Sequence, residues 1–175
     1  MTKIHPMSDK ELFKADTPDL MVTLFEWSKR EHAVMDQELV EMSPFLTFTH
    51  TDLETNKPPS FYLIGKKSAA RDVFGHKWAD EIRNTQASPI KNHKQPSADG
   101  YFKALQNGFN FDHVEFETDA VMGVYRRLII PVRTKLMMQP SFFVMLPMPI
   151  QIERKHCTPD AEDHCDLNKP KRNFH

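Results

Sequence analysis

Apolar positions along this chain follow two different periods. In "DTPDLMVTLFEWSKREH", Leu20, Leu24 and Trp27 recur at i, i+4 and i+7, with Met21 and Phe25 beside them. That is one stripe of an amphipathic helix. Thr17 suits the N-cap, Pro18 the first helical position, and Asp19 the positive end of the helix dipole. The spacing predicts a helix over 17–32. Its stripe packs either on its own domain or on a second subunit.

Beyond Pro44, which breaks a helix, the period shortens. Phe45 to Thr51 is rich in Phe and Thr and approximately alternates, so a strand is expected. "NKPPS" reads as a turn and "FYLIG" as a second strand, giving a hairpin. "SAARDVFG" predicts a short helix closed by Gly75, and "HKWADEIRN" another turn or two. "TQASPIKNHKQPS" is a polar linker. Ser97 can cap a helix over Ala98–Gln106, ended by Gly108. In "FNFDHVEFETDA" apolar residues fall at 109 and 111, then at 114 and 116. The parity breaks at Asp112-His113, which predicts a bulge or a turn between two short strands. "VYRRLIIPVRT" is a strand, and "QPSFFVMLPMPI" a last one closed by Pro147 and Pro149. Residues 1–16 and 153–175 lack apolar periodicity and are expected to be a flexible N-terminus and a polar tail. No internal repeat is present.

This order predicts an α+β domain over 17–152, one antiparallel sheet with helices on one face. Strict βαβ alternation is absent, which argues against a doubly wound nucleotide-binding fold. The 175 residues suit one domain with extensions, and 39% hydrophobic residues suffice for a core. A net charge of −1 offers no general attraction to nucleic acid or anionic membrane. The N-terminus lacks the apolar segment of a secretory signal, and no run approaches a membrane span. A cytoplasmic protein is expected.

The order of elements resembles the PAS domain, a small sensory α/β module. "FYLIGKKSAARDVFGHKWADEI" resembles the segment where a PAS strand enters its first short helices. "YFKALQNGFNFDHVEF" resembles the longer helix entering the third strand. "VYRRLIIPVRT" followed by "FFVMLPMP" resembles the closing hairpin. A bacterial PAS-like family combines an N-terminal helix, a strand ending in glycine and a "Y.R...P" strand in the same way. The resemblance covers about residues 18–150. It implies a five-stranded antiparallel sheet with helices on one face and a non-enzymatic sensory or protein-interaction role. It also implies a homodimer that acts through a separate output protein, with Leu20, Leu24 and Trp27 as the candidate dimer contact. A small-molecule cavity between sheet and helices would then be lined by Trp78, Tyr101, Phe111, Tyr125, Arg126 and Met145. Some PAS domains hold haem through histidine, which makes His76 and His113 candidates. Neither cysteine lies in the core, which excludes covalent flavin photochemistry.

The residues themselves carry three further readings. Gly65-Lys66-Lys67-Ser68 between strand and helix suggests a phosphate loop. The required earlier glycine is missing, its place taken by Ser60 or Phe61, so a structural corner is expected. "HCTPDAEDHC" sets His156, Cys157, His164 and Cys165 close together, ligands suited to zinc at unusual spacing; a polar tail with incidental metal affinity is the other reading. In Tyr125-Arg126-Arg127, parity places Arg126 on the face of Leu128 and Ile130. There it wants Glu115, Glu117 or Asp112, or an anionic ligand, as would suit a small enzyme or ligand carrier. No nucleophile–base arrangement, carboxylate pair or nucleic-acid motif emerges.

Overall fold

The structure is a computed structural model. It describes residues 3–14, 16–30, 33–55, 57–82, 94–118, 121–137 and 139–154, with backbone alone at 94–97. The described strands form one six-stranded antiparallel sheet of order β1-β4-β5-β6-β2-β3. The strands are β1 (Lys3–Pro6), β2 (Thr47–Thr49), β3 (Phe61–Ile64), β4 (Asn110–Glu117), β5 (Val121–Val132) and β6 (Phe142–Arg154). The helices are α1 (Asp9–Leu12), α2 (Asp19–Arg30), α3 (Gln37–Met42), α4 (Ala69–Phe74), α5 (His76–Glu81) and α6 (Lys94–Asn107). The α+β class expected from the sequence is therefore present, with one strand more than five.

The extra strand lies in the N-terminal stretch expected to be flexible. β1 pairs with β4, Lys3 opposite Glu115 and His5 opposite His113. α1 follows, where the Glu11 carboxylate accepts the Ser8 backbone N–H at 2.8 Å and Leu12 is fully buried. These elements are too short for periodicity to register. Their stability comes from pairing and burial, not from local propensity.

Helices cover both faces of the sheet, not one. Alternate strand residues point to opposite sides. On the first face Phe48, Phe111, Leu128, Ile130, Val132, Val144 and Leu146 meet Met21, Leu24, Phe25 and Trp27 of α2 and Leu39 and Met42 of α3. On the second face Tyr101 and Ala104 of α6 meet Ile129 and Phe143. Val73 and Phe74 of α4 meet Phe116, Val121, Tyr125 and Ile152 there as well. This double covering explains the parity break in β4. The strand runs from Asn110 to Glu117 without a bulge, sending Phe111 to one apolar layer and Val114 and Phe116 to the other.

α2 matches the expected stripe but begins at Asp19. The Pro18 carbonyl accepts the N–H of Met21 at 2.9 Å, while the Thr17 hydroxyl donates to the Glu11 carbonyl. β6 continues past Pro147 and Pro149 to Arg154. Its pairing with β2 ends at Met145, so beyond that point a residue without an N–H breaks no ladder on that side. The register shifts opposite, between Val124 and Tyr125.

Gly65 has a packing role. A Cβ there would collide with the carbonyl oxygens of Ser43 and Pro44, because the strand end lies directly on that turn. Gly65 N–H donates to Leu46 O at 2.8 Å and Lys67 N–H to Pro44 O at 2.7 Å. The Lys67 ammonium sits 5.3 Å from the centre of the Phe45 ring. The Ser68 hydroxyl caps α4. The corner is a closed backbone junction, as the missing upstream glycine suggested.

Candidate functional site

Where α2 and α3 cover it, the first face of the sheet is apolar. The second carries a run of buried polar groups. On β4 and β5, Asn110 and Asp112 share a face with Arg127, whose register partner is Asp112. Arg127 is 1% exposed and Asp112 is also buried. The guanidinium donates from Nε to Asp112 Oδ1 at 2.9 Å and from Nη2 to Oδ2 at 2.7 Å, a two-pronged pair. Asn110 Nδ2 donates to Asp112 Oδ2 at 2.7 Å. Burial works against the charge of Arg127, but the Asp112 carboxylate outweighs it and holds the guanidinium protonated more firmly than usual.

α6 crosses this pair with its backbone. A Cβ on Gly100 would lie 2.6 Å from Arg127 Nη2 and 3.3 Å from both Asn110 Nδ2 and Asp112 Oδ2. Only a residue without a side chain lets the helix sit so low. One residue on, Tyr101 is buried edge-on against Phe143, with ring centres 5.0 Å apart. Its hydroxyl donates to the Met145 sulfur at 3.7 Å. Burial pushes the Tyr101 phenol up, offset in part by the Arg127 charge and by the Thr49 hydroxyl, which lies beside the phenol but outside hydrogen-bond geometry. The Tyr125 phenol is also pushed up by burial, again against the Arg127 charge. Thr47 and Thr49 of β2 are both fully buried. Thr47 shares a hydrogen bond with Ser68 at 3.2 Å, but Thr49 Oγ1 has no hydrogen-bond partner among the described residues.

The expected cavity residues divide between the two faces. Tyr101, Tyr125 and Met145 share the polar face. Trp78 lies on α5 in a separate cluster, edge-on to Phe61 and Phe74 at 5.8 and 5.3 Å. Phe111 is in the opposite, apolar layer. Arg126 also points to that side, as its parity required. Its partner is Asp16 at 2.5 Å rather than Glu115, Glu117 or Asp112. The anion seat expected at Arg126 is thus taken by a carboxylate of the chain's own N-terminal segment. Arg127 and Thr49 were missed. The amide and carboxylate at Asn110 and Asp112, on one face of the strand that precedes the adjacent arginines, were the available signal.

The proposed dimer contact is corrected as well. Leu24 and Trp27 are 0% exposed, covered by their own sheet, and Leu20 is half-buried against the same cluster. The Trp27 indole N–H donates to Asp36 at 3.0 Å, and the same carboxylate caps α3. Neither haem candidate lies at the polar face. His76 is exposed at the start of α5, and His113 faces His5 on the other side. His156, Cys157, His164 and Cys165 lie outside the described residues.

A shallow depression of about 450 Å³ is bordered by His50, Thr51, Asp52 and Ser60. Ser60 donates its hydroxyl to Asp52 at 2.6 Å and its N–H at 2.9 Å. Burial pushes the Asp52 carboxyl up, but these two bonds outweigh it and hold it below the usual range. The Ser60 hydroxyl is thus a donor to that carboxylate. Among the described residues no helix is long and apolar enough to cross a membrane. In comparisons with known proteins, no family model, curated protein or solved structure matched the chain.

Proposed function

We propose that this chain is a non-enzymatic sensory or protein-interaction domain of the PAS-like kind, taking a small molecule between the sheet and α6. The observation that carries this reading is the buried Thr49 hydroxyl without a hydrogen-bond partner, beside a Tyr101 phenol whose acceptor is a thioether. A buried polar group left unsatisfied costs about 1–3 kcal/mol, which a ligand that satisfied it would return as affinity. A molecule with one hydrogen-bonding group and an apolar body suits Thr49, Tyr101, Met145 and Phe143 together. Such a ligand favours one packing of α6 on the sheet over another, and a separate output protein reads the difference. Strands β2 to β6 with α4, α5 and α6 against one face agree with the resemblance to PAS domains.

The test is native mass spectrometry of freshly purified protein together with a thermal-shift screen of small polar-apolar molecules. A retained mass, or a stabilising compound whose effect disappears in Tyr101→Phe and Thr49→Val, is expected. Absence of both would refute the reading.

A further inference from the structure

The closing hairpin of the sheet ends in a loop that is apolar where turns are ordinarily polar. "RTKLMMQPS", residues 133–141, joins β5 to β6. The Met137 N–H donates to the Thr134 carbonyl at 3.1 Å, closing a turn whose corner residues are Lys135 and Leu136. Gly, Pro, Asn, Asp and Ser dominate such corners, because they supply the backbone angles or hydrogen-bond the turn. Leu136 does neither, and it is 96% exposed. Met137 beside it is 61% exposed. Met35, also exposed, is fastened to the base of the loop, its N–H donating to the Arg133 carbonyl at 2.9 Å. That base is firmly closed. The Ser141 N–H donates to Val132 O at 2.8 Å, and the Thr134 and Ser141 hydroxyls share a hydrogen bond at 3.4 Å. Single apolar side chains in water are ordinary, but consecutive ones carried on a braced tip mark a contact surface.

Shape and charge together select what such a tip fits. Near-complete exposure puts Leu136 on a projection and not in a groove. Met35, Leu136 and Met137 fall far short of the roughly 20–30 residues a side that a stable protein contact takes. A lipid surface asks for less. Apolar side chains enter the boundary between headgroups and acyl chains, while basic ones stay among the headgroups. Residues 133–141 hold two basic side chains, Arg133 and Lys135, and no acidic one. The acids that follow Met35 are engaged within the fold. Asp36 accepts the Trp27 indole N–H and caps α3, and Glu38 pairs with Arg30 at 2.8 Å. The tip is therefore locally positive on a chain whose net charge is −1.

We propose that the β5–β6 hairpin tip docks the protein reversibly on an anionic lipid surface, Leu136 and Met137 entering the interface and Lys135 lying among the headgroups. The contact is peripheral, and the inference is independent of the ligand proposed beneath α6. One myristoyl chain gives a binding constant of only about 10⁴ M⁻¹, so a tip with fewer apolar carbons binds more weakly, half-saturating at about millimolar lipid.

Co-sedimentation of the full chain with vesicles tests it, using phosphatidylcholine alone and an equal mixture of phosphatidylcholine and phosphatidylserine. The expected result is binding to the mixed vesicles at about millimolar lipid, weakened by added salt, and severalfold weaker binding to phosphatidylcholine. Leu136→Ser should weaken binding roughly tenfold, and Met137→Ser somewhat less. Lys135→Gln should weaken binding to the mixed vesicles alone, by about fivefold. All three positions are exposed, so the unfolding temperatures of these variants should match that of the unaltered chain. Leu136→Trp gives a gain instead, binding more tightly with an indole emission that shifts to the blue on mixed vesicles. No binding to the mixed vesicles at millimolar lipid would overturn the proposal. So would binding that Leu136→Ser and Met137→Ser leave unchanged, which would place the contact elsewhere on the chain, or equal binding to the two compositions.

Discussion

The two faces of one sheet solve burial differently. Against α2 and α3 the sheet presents Phe111, Leu128, Ile130, Val132, Val144 and Leu146, and the contact is hydrophobic transfer and packing. Against α4, α5 and α6 the same strands present Asn110, Asp112, Tyr125 and Arg127 among the apolar residues. Every polar group there needs a partner, because an unpaired one costs far more than a lost van der Waals contact. Arg126 and Arg127 make the contrast within two residues. Arg126 is 14% exposed and meets an aspartate that is 65% exposed at the rim. Arg127 and Asp112 are both out of water. An apolar face tolerates many residues of suitable volume, whereas the polar face accepts few sequences.

The strongest challenge to this contrast is to remove each arginine in turn. Arg127→Met leaves the Asp112 carboxylate buried and unpaired, and chemical denaturation should show a loss of about 3–5 kcal/mol. Arg126→Met should cost less than about 1 kcal/mol, since its partner is well solvated. Equal losses would mean that the faces do not differ as described. Within the apolar layer, Leu24→Ala should cost about 2–5 kcal/mol while leaving the oligomeric state unchanged in sedimentation. Dissociation of a folded monomer would restore the dimer contact that the burial of Leu24 argues against.

Smaller effects sharpen the comparison. Gly100→Ala pushes a methyl against the Arg127 guanidinium and should destabilise by about 1–3 kcal/mol, most of it relieved when Arg127 and Asp112 are replaced together by apolar residues. Thr49→Val removes a hydroxyl that has no hydrogen-bond partner, so it should be neutral or raise stability by up to about 1 kcal/mol. A clear loss would reveal a hydrogen bond to that hydroxyl. The Asp52 carboxyl has a folded pKa below its unfolded one. Its contribution is therefore present above the unfolded value and lost as pH falls through the folded value. Denaturation profiles below about pH 4 should be shallower in Ser60→Ala than in the unaltered chain.

Much of the local structure was readable from residue order. The i, i+4, i+7 stripe announced α2, the β-branched and aromatic runs announced β2, β3, β5 and β6, and Gly75 and Gly108 end α4 and α6 as expected. At the Gly65 corner the strand end packs directly on the Ser43-Pro44 turn. Less of the site was readable. Tyr101, Tyr125 and Met145 share a face, and Phe111 and Arg126 point to the other. The prediction of helices on one face alone made a single cavity out of residues from two layers. β1 escaped notice because so short a segment as Lys3–Pro6 becomes a strand only when β4 offers it an edge.

Sequence by itself determined what neighbours along the chain can settle: helix period, strand alternation, caps, and the placing of Arg126 with Leu128 and Ile130. The tertiary structure decided which arginine is buried, that both faces are covered, and that α2 is spent on its own sheet. It also decided that His5 meets His113 and that Gly65 must lie against Pro44. These outcomes depend on strands and helices far apart in the chain, brought together only when the sheet assembles. Local propensity carries no record of which distant surface will meet which face.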